Sequence, residues 1–200
     1  MLRLPPLEVE TARLVIRPSD PGSAAELRLL LADPRVAEPY FGCSNPTERR
    51  AQARPWVQSE HDWTQRSLLT LSVRARAAGM LVGAVRFDHG RLSYLVNPRY
   101  WRQGYGAEMV RACCLCAQRD LGLDELHANV IRENLGSRRI LEGAGFVFAG
   151  LMPRDEQGRS SAVTILRYLL HARAAAASTA QATGGAVICT PGPANGLPLL

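Results

Sequence analysis

The chain has 200 residues, of which 46% are hydrophobic, enough to fill the core of one domain. Its formal net charge is +6, and all 24 basic residues are Arg because the sequence contains no Lys. No apolar segment approaches the length of a membrane span or of a secretory signal, so we expect a cytoplasmic protein that does not cross a membrane. The Arg excess fits either GC-rich coding or a phosphate-bearing partner, and charge alone does not separate a phosphorylated cofactor from nucleic acid.

Hydrophobic periodicity predicts a mixed succession of strands and helices. Alternation from Ala12 to Pro18 predicts a strand, and Asp20 before Pro21 predicts the start of a helix over residues 23–32. The remaining predicted elements are a polar helix within 46–63, an antiparallel meander of strands over 68–73, 80–87 and 91–96, a helix over 107–121, a strand over 126–131, a short helix over 134–143, and strands over 146–151 and 162–170. The helix over 107–121 is expected to connect two parallel strands.

Composition divides the chain into three parts. Residues 1–10 form a short lead, and residues 11–172 carry the periodic patterns of one domain. Residues 173–200 are rich in Ala, Gly and Pro and have no sustained periodicity, so we expect a flexible tail there.

The cysteines do not have the pattern of a disulfide framework or of a metal site. Their number is odd, and three of them crowd one predicted helix: Cys43, Cys113, Cys114, Cys116 and Cys189. That helix has no CxxC pair with a nearby His that could complete a tetrahedral set of ligands. We therefore expect ordinary thiols in a reducing compartment, and no metal.

A glycine-containing turn between a strand and a helix, residues 103–106, is the first candidate binding site. The first amides of a helix have no partner within the helix, and the helix dipole adds positive potential there. Because Gly104 and Gly106 let a phosphate approach these amides, the turn predicts an anion site, although the same pattern also makes an ordinary tight turn. The segment lacks the Gly-Lys-Ser or Gly-Lys-Thr of a P-loop and the third Gly of a dinucleotide fingerprint.

A second motif follows the predicted strand over 126–131. Asn134 stands where a helix N-cap is expected, and Ser137 lies in the first turn of that helix. Further on, Gly145-Phe146 leads into the next strand.

The two motifs together resemble the GNAT superfamily of N-acetyltransferases. They look most like its branch of ribosomal-protein N-terminal acetyltransferases (RimJ/RimL-like). That branch favours an aromatic-Trp-x-x-Gly-Tyr-small-x-Glu run, which here reads Tyr100 to Glu108, and Asn-x-x-Ser-x-Arg ahead of Gly-Phe, which here reads Asn134 to Phe146. The likeness covers residues 11–171, and both motifs stand at the separation usual in that family.

The resemblance implies a GNAT fold of the α/β (α+β) class, with a mixed, mostly antiparallel central sheet of about six to seven strands flanked by about four helices. It implies an N-acetyltransferase that moves an acetyl group from acetyl-CoA to a primary amine by direct transfer in a ternary complex. The acceptor is expected to be a protein N-terminal α-amine or a small-molecule amine, and the protein a monomer or a homodimer.

The resemblance also implies where the coenzyme is held. The turn before the long helix would hold the pyrophosphate, and the preceding strand would bond the pantetheine arm. The ribose phosphate could meet Arg102, Arg138 or Arg139. The residues implied in coenzyme binding are Leu95, Val96, Gln103, Gly104, Tyr105, Gly106, Ala107, Asn134 and Arg139. Catalysis is implied for Asn134, which would orient the thioester, and for Ser137, which would lie near the sulfur and could act as the acid.

Two departures from the family pattern concern the proton transfers. Arg91 occupies a position where many relatives have a Glu base, and Leu141 occupies the place of a Tyr acid. Candidate replacements for the base are Glu60, His61, Asp88 and His89, although the sequence favours an ordinary surface position for each of them. An α-amine has a pKa of about 8, so such an acceptor needs little help to lose its proton.

Two other functions remain open from the sequence. A catalytically impaired acyl-CoA-binding sensor or partner module is the alternative to an enzyme, because the usual Glu is missing. An RNA-associated protein fits the positive charge, but no RRM, KH or zinc pattern supports it. Nucleic acid is therefore expected only as part of a ribosomal or tRNA substrate, and the sequence leaves the identity of the acceptor open.

Overall fold

A computed structural model describes residues 7–41, 53, 54, 56, 68–152, 164–172 and 188–191 of the chain. The elements are, in chain order, β1 (Leu7–Glu10), β2 (Leu14–Pro18), α1 (Pro21–Ala32), α2 (Pro34–Phe41), β3 (Leu68–Ala75), β4 (Leu81–Asp88), β5 (Arg91–Val96), a 3-10 turn (Pro98–Tyr100), α3 (Tyr105–Asp120), β6 (Glu125–Ile131), α4 (Leu135–Gly143), β7 (Val147–Leu151), β8 (Ile165–His171) and β9 (Ile188–Pro191). Residues 53, 54 and 56 of the predicted helix within 46–63 are helical, and the rest of that segment lies outside the described residues.

The described strands form a single sheet in the order β7-β8-β6-β5-β4-β3-β2-β1-β9. Among these neighbours β5 and β6 are parallel, with α3 as the crossover between them, and the other pairs are antiparallel. The predicted α/β class, with a mostly antiparallel mixed sheet, is confirmed. The nine described strands exceed the expected six to seven.

The additional strands, β1 and β9, lie outside the domain expected over residues 11–172. Strand β1 belongs to the expected lead and β9 to the expected tail, and the two pair with each other from Leu7 opposite Pro191 to Glu10 opposite Ile188. Each has four residues. A four-residue segment becomes a strand because it forms hydrogen bonds with a neighbouring strand, and here the neighbour lies far away in the sequence. The local sequence pattern therefore does not predict it.

Helices cover the two faces of the sheet. On one face α3 packs on the larger core cluster, which includes Met109, Val110 and Cys113 of the helix. On the other face α1 and α2 bury Leu27, Leu30 and Leu31 of α1 and Val36 and Ala37 of α2 against Leu81, Ala84 and Leu95 of the sheet. The start of α1 is set as predicted, since the carboxylate of Asp20 accepts a hydrogen bond from the Ser23 backbone N–H at 2.6 Å and Pro21 opens the first turn.

The cysteines of α3 differ in their chemistry. Cys113 and Cys114 are free and buried, and burial raises the pKa of the Cys114 thiol to about 12. Cys116 is disulfide-bonded, so the expectation of ordinary thiols is wrong at this position. The spacing of the cysteines within α3 does not indicate whether one of them forms a disulfide with a cysteine elsewhere in the chain.

Within the described residues, no helix is long and apolar enough to cross a membrane. The same part of the chain has no group of three or more His, Cys, Asp or Glu side chains that could hold a metal ion.

Candidate active site

The sheet is split between the parallel strands β5 and β6. They are paired at Arg91 and His127, where the His127 N–H donates to the Gly90 carbonyl at 3.0 Å. The register contains no further pair toward Val96, so the strands diverge along the rest of their length. A split of this kind leaves backbone N–H and C=O groups of β5 without a strand partner on that side.

A cavity of about 810 Å³ lies at the split and is lined by residues of α2 on one face of the sheet and of α3 and α4 on the other. The predicted site residues that line it are Leu95, Val96, Gly104, Gly106, Ala107, Asn134 and Ser137. Gln103, Tyr105 and Arg139 are absent from its described wall, and Arg102 is the arginine that lines it beside the turn. The structure therefore brings most of the predicted residues together and leaves Arg139 exposed on α4.

The two glycines at the start of α3 have different physical roles. Gly104 is the N-cap residue and has a φ of 80°, a left-handed conformation that glycine adopts without strain. Gly106 is buried, and a Cβ there would lie 2.9 Å from Ile140 Cδ1 and 3.3 Å from Val96 Cγ2. Gly106 thus allows the helix to approach β5 and α4 closely, which places the first amides of α3 at the wall of the cavity.

Arg13, between β1 and β2, braces this turn from outside. Its guanidinium pairs with Glu108 of α3 at 2.6 Å, donates to the Gln103 carbonyl at 2.9 Å, and lies 4.2 Å from the ring centre of Tyr105. Thr11 also donates to Glu108, at 2.6 Å. The sequence interpretation missed Arg13, because the contact joins residues about ninety positions apart and no local pattern signals it.

Strand β5 presents backbone groups to the split. The Asn97 N–H donates to the Val82 carbonyl of β4 at 2.8 Å. Because successive residues of an antiparallel strand direct their peptide groups to opposite sides, those of Val96 face β6 and the cavity. The Trp101 Nε1–H donates a hydrogen bond to the Val96 carbonyl at 2.8 Å. The Val96 N–H therefore remains as the backbone group that can donate to a ligand.

The second motif lies across the split from this strand. The Asn134 side chain caps α4 by accepting a hydrogen bond from the Ser137 N–H at 3.0 Å, as expected for an N-cap. The Ser137 hydroxyl lies 2.7 Å from the hydroxyl of Tyr94 on β5. Tyr94 also lines the cavity, and the sequence interpretation missed it. The alternation of β5 could have indicated it, since Tyr94 and Val96 share one face of the strand.

The four candidate bases do not supply one in the described wall of the cavity. Glu60 and His61 lie outside the described residues. Asp88 pairs with Arg91 at 2.5 Å and with His89 at 2.9 Å. Burial alone would raise the pKa of Asp88, but the hydrogen bonds from His89 and Arg91 outweigh it and lower the pKa, which makes this carboxylate a weak base. His89 is exposed at a turn, with 75% of its side chain accessible.

Comparisons with known proteins agree with this geometry. The family model of the acetyltransferase (GNAT) domain matches residues 13–147. An uncharacterized N-acetyltransferase of Bacillus subtilis, YoaA, is 25% identical over 152 residues, which are 72% of this chain and 85% of that protein.

Two solved structures share the fold at lower identity. The ribosomal-protein-S5-alanine acetyltransferase of Vibrio fischeri is 13% identical with a TM-score of 0.67, over 82% of this chain and 96% of that one. The spermidine N-acetyltransferase of Vibrio cholerae, solved with CoA and spermine, is 14% identical with a TM-score of 0.62, over 79% of this chain and 95% of that one. At these identities the likeness concerns the fold alone.

Proposed function

Because the chain belongs to the GNAT acetyltransferase family, we propose that it transfers the acetyl group of acetyl-CoA directly to a primary amine within a ternary complex. The observation that carries the proposal is the cavity through the split sheet, which meets the first turn of α3 on one side and opens toward α2 on the other. Such a passage lets a donor and an acceptor approach one point from opposite faces, as direct transfer requires.

The residues at the α3 side fit acetyl-CoA. The amides that follow Gly104 would bind the pyrophosphate, with Arg13 and the helix dipole adding positive potential. Arg102, which lines the cavity, is better placed than Arg139 to meet a phosphate. The peptide groups of Val96 would bond the pantetheine arm, and Asn134 would orient it.

The reaction moves one acyl group and one proton. The thioester supplies an activated acyl carbon, which the neutral amine nitrogen attacks while the carbon–sulfur bond breaks. The Val96 N–H is oriented to donate to the oxyanion that forms. The departing sulfur takes a proton, and the nitrogen loses one as the amide forms. We assign the transfer to Ser137 backed by Tyr94, whose hydroxyls are hydrogen-bonded to each other: the pair gives a proton to the sulfur and regains one from the nitrogen.

The absence of a carboxylate or His from the described wall favours an acceptor that loses its ammonium proton easily. At pH 7, deprotonating a lysine-type amine costs about 4–5 kcal/mol, whereas an α-amine costs about 1 kcal/mol. An α-amine therefore reacts without a strong base, which favours an amine of low pKa, on a peptide or on a small molecule, over a lysine-type amine.

A turnover assay that detects the released thiol, run with acetyl-CoA and a panel of primary amines, tests the proposal. We expect acetylation of at least one amine and a rise in melting temperature with acetyl-CoA. Binding without turnover over a broad panel would select the catalytically impaired acyl-CoA-binding module instead. No binding would remove both.

A further inference from the structure

The face of the sheet that α2 covers carries polar side chains where the cavity opens. Arg86 of β4 stands opposite Ser93 of β5, and both line the cavity. Asn129 of β6 and Arg91 of β5 line it too. The acceptor side is therefore polar and basic, although the neighbouring positions of the same strands are apolar.

Arg86 lies in this wall with too few polar partners for its buried guanidinium. Its side chain is 13% exposed, and its Nε–H is buried without a hydrogen-bond partner. The carboxylate that pairs with it among the described residues is Asp88, at 3.5 Å, and Asp88 Oδ2 is contacted more closely by Arg91. Two guanidiniums thus share one carboxylate, and desolvation lowers the pKa of Arg86, which marks a charged form short of polar partners.

Asn129 complements this arginine. Its side-chain oxygen Oδ1 is buried and accepts no hydrogen bond. Buried polar atoms are usually satisfied, and here a donor on β4 and an acceptor on β6 are left unpaired in two residues that line one cavity. Both atoms are buried, so the two side chains would have to turn toward the cavity to meet a ligand, which would then present an acceptor group to Arg86 and an N–H donor to Asn129.

The positive charge of the cavity wall indicates that the ligand carries a negative charge. Among the described lining residues there are four arginines, Arg35, Arg86, Arg91 and Arg102, and no Asp or Glu. At the acceptor side, the carboxylates that pair with Arg35 and Arg91 are Asp33 and Asp88, both engaged. A polycationic amine would meet repulsion here, whereas a carboxylate or phosphate would meet donors suited to bind it bidentately.

We propose that the acceptor is a small amine that carries an oxyanion, a carboxylate or a phosphate, bound by Arg86 and Arg91 while Asn129 accepts a hydrogen bond from the amine nitrogen. This rests on the proposed acetyl transfer and adds the class of its acceptor. The same arginines oppose the ammonium form of the bound amine and so favour the neutral form that attacks the thioester. The pocket then performs part of the work of a base.

Matched pairs of amines test the proposal. At saturating acetyl-CoA, L-amino acids are compared with their amides, and phosphoethanolamine with ethanolamine; spermidine and a short peptide with a neutral N-terminal residue complete the panel. We expect kcat/KM at least about tenfold higher for the acidic member of one pair, the size of effect that a charge-assisted hydrogen bond gives. The pair that responds tells carboxylate from phosphate. Equal rates within both pairs, or preference for spermidine or the peptide, would overturn the proposal.

Variants assign the preference to the arginines. In Arg91→Gln and Arg86→Gln we expect the ratio between acidic and neutral amines to fall to within about threefold, while Arg28→Gln, an exposed charge on α1, keeps the wild-type ratio. Arg91 is more exposed than Arg86, so its variant serves if Arg86→Gln does not fold. An unchanged ratio in a folded Arg91→Gln protein that still binds acetyl-CoA would contradict the assignment.

Calorimetry separates this proposal from the enzymatic one. The same amine pairs are titrated into the protein saturated with CoA, which supports no transfer. Tighter binding of the acidic amine without turnover would support the proposed ligand class and contradict the proposed acetyl transfer. Equal binding of the acidic and neutral amines, together with turnover of the neutral amines, would support acetyl transfer and contradict the proposed ligand class.

Discussion

The phenol oxygen of Tyr94 lies 2.7 Å from the hydroxyl oxygen of Ser137, a contact that joins β5 to the first turn of α4 across the split in the sheet. Burial raises the pKa of Tyr94 well above its ordinary value of 10.0, although the hydrogen bond with Ser137 opposes part of the rise. Tyr94 therefore stays protonated throughout the working range of pH. The pair can therefore pass a proton to a thiolate only as it regains one from the nitrogen, and it is unsuited to act as a base toward a free amine.

Removing either hydroxyl is expected to slow the chemical step. In Ser137→Ala and in Tyr94→Phe, kcat should fall by about 100-fold, the lower end of the range for an acid catalyst, because a thiolate leaves more easily than an alkoxide. The melting-temperature shift with acetyl-CoA should persist in both variants. The double variant should be no slower than the slower single one, since the two groups act in series. Full multiplication of the two losses would show independent roles.

The start of α3 offers a test of anion binding by charge. Gly104→Glu places a carboxylate where the pyrophosphate is expected, and Gly104→Ala serves as its control for backbone strain at a φ of 80°. An Ala there costs about 1 kcal/mol in backbone strain, and its Cβ would lie 3.3 Å from the Arg13 guanidinium, a tight contact that this flexible side chain can relieve by a small shift. Titration with acetyl-CoA should show weakened binding for the Ala variant and none for the Glu variant. Equal affinities in the two folded variants would place the phosphates elsewhere.

The brace between Arg13 and Glu108 should make stability depend on pH. Partial burial alone would raise the pKa of Glu108, but the hydrogen bonds from Thr11 and Arg13 outweigh it and lower the pKa below its ordinary value of 4.5. A lowered pKa contributes stability that is complete above pH 4.5 and is lost as the pH falls through the lower, folded-state value.

Glu108→Gln isolates that contribution. Denaturant unfolding should show the variant less stable than the wild type by about 1–2 kcal/mol at pH 7, since Arg13 is partly exposed and its ion pair is screened. The difference should shrink as the pH falls below 4.5 and vanish at a pH below the folded-state value of Glu108. A difference that is the same at both pH values would show that packing, and not the charge of Glu108, carries the effect.

The pH dependence of turnover should be set by the pKa of the acceptor amine and not by the pKa of a group on the protein. With no carboxylate or His in the described wall, kcat/KM is expected to rise about tenfold per pH unit until the amine is neutral. Two acceptors whose amine pKa values differ should give inflections displaced by the same difference. A common inflection for both acceptors would reveal a base on the protein.

The parts of the site that the sequence predicted are local ones. The turn at Gly104 and the cap at Asn134 each consist of a strand end followed by the first residues of a helix, so spacing alone determines their geometry. The predicted element bounds for β5 and for the strand and helix that flank Asn134 agree with the structure to within a residue.

The parts that it missed depend on which strands are neighbours. Arg13 reaches α3 because β1, the strand just before it, contacts that helix. Tyr94 reaches Ser137 across the split, and Arg86 and Asn129 share a cavity although 43 positions separate them. Hydrophobic periodicity predicts on which face of its strand or helix a side chain lies, but not which residue of another element it contacts. The pairing of β1 with β9 and the disulfide of Cys116 are of the same kind, since both join segments that the sequence alone does not bring together.

Isothermal titration of the wild-type protein with acetyl-CoA and with S-acetylpantetheine, which has the same thioester but lacks the phosphates and the adenosine, tests the role of the turn at the start of α3. The amides at the start of α3 should bind acetyl-CoA at least about 100-fold more tightly, the combined effect of several charge-assisted hydrogen bonds. Equal affinity for the two thioesters would contradict the assignment of that turn to the pyrophosphate.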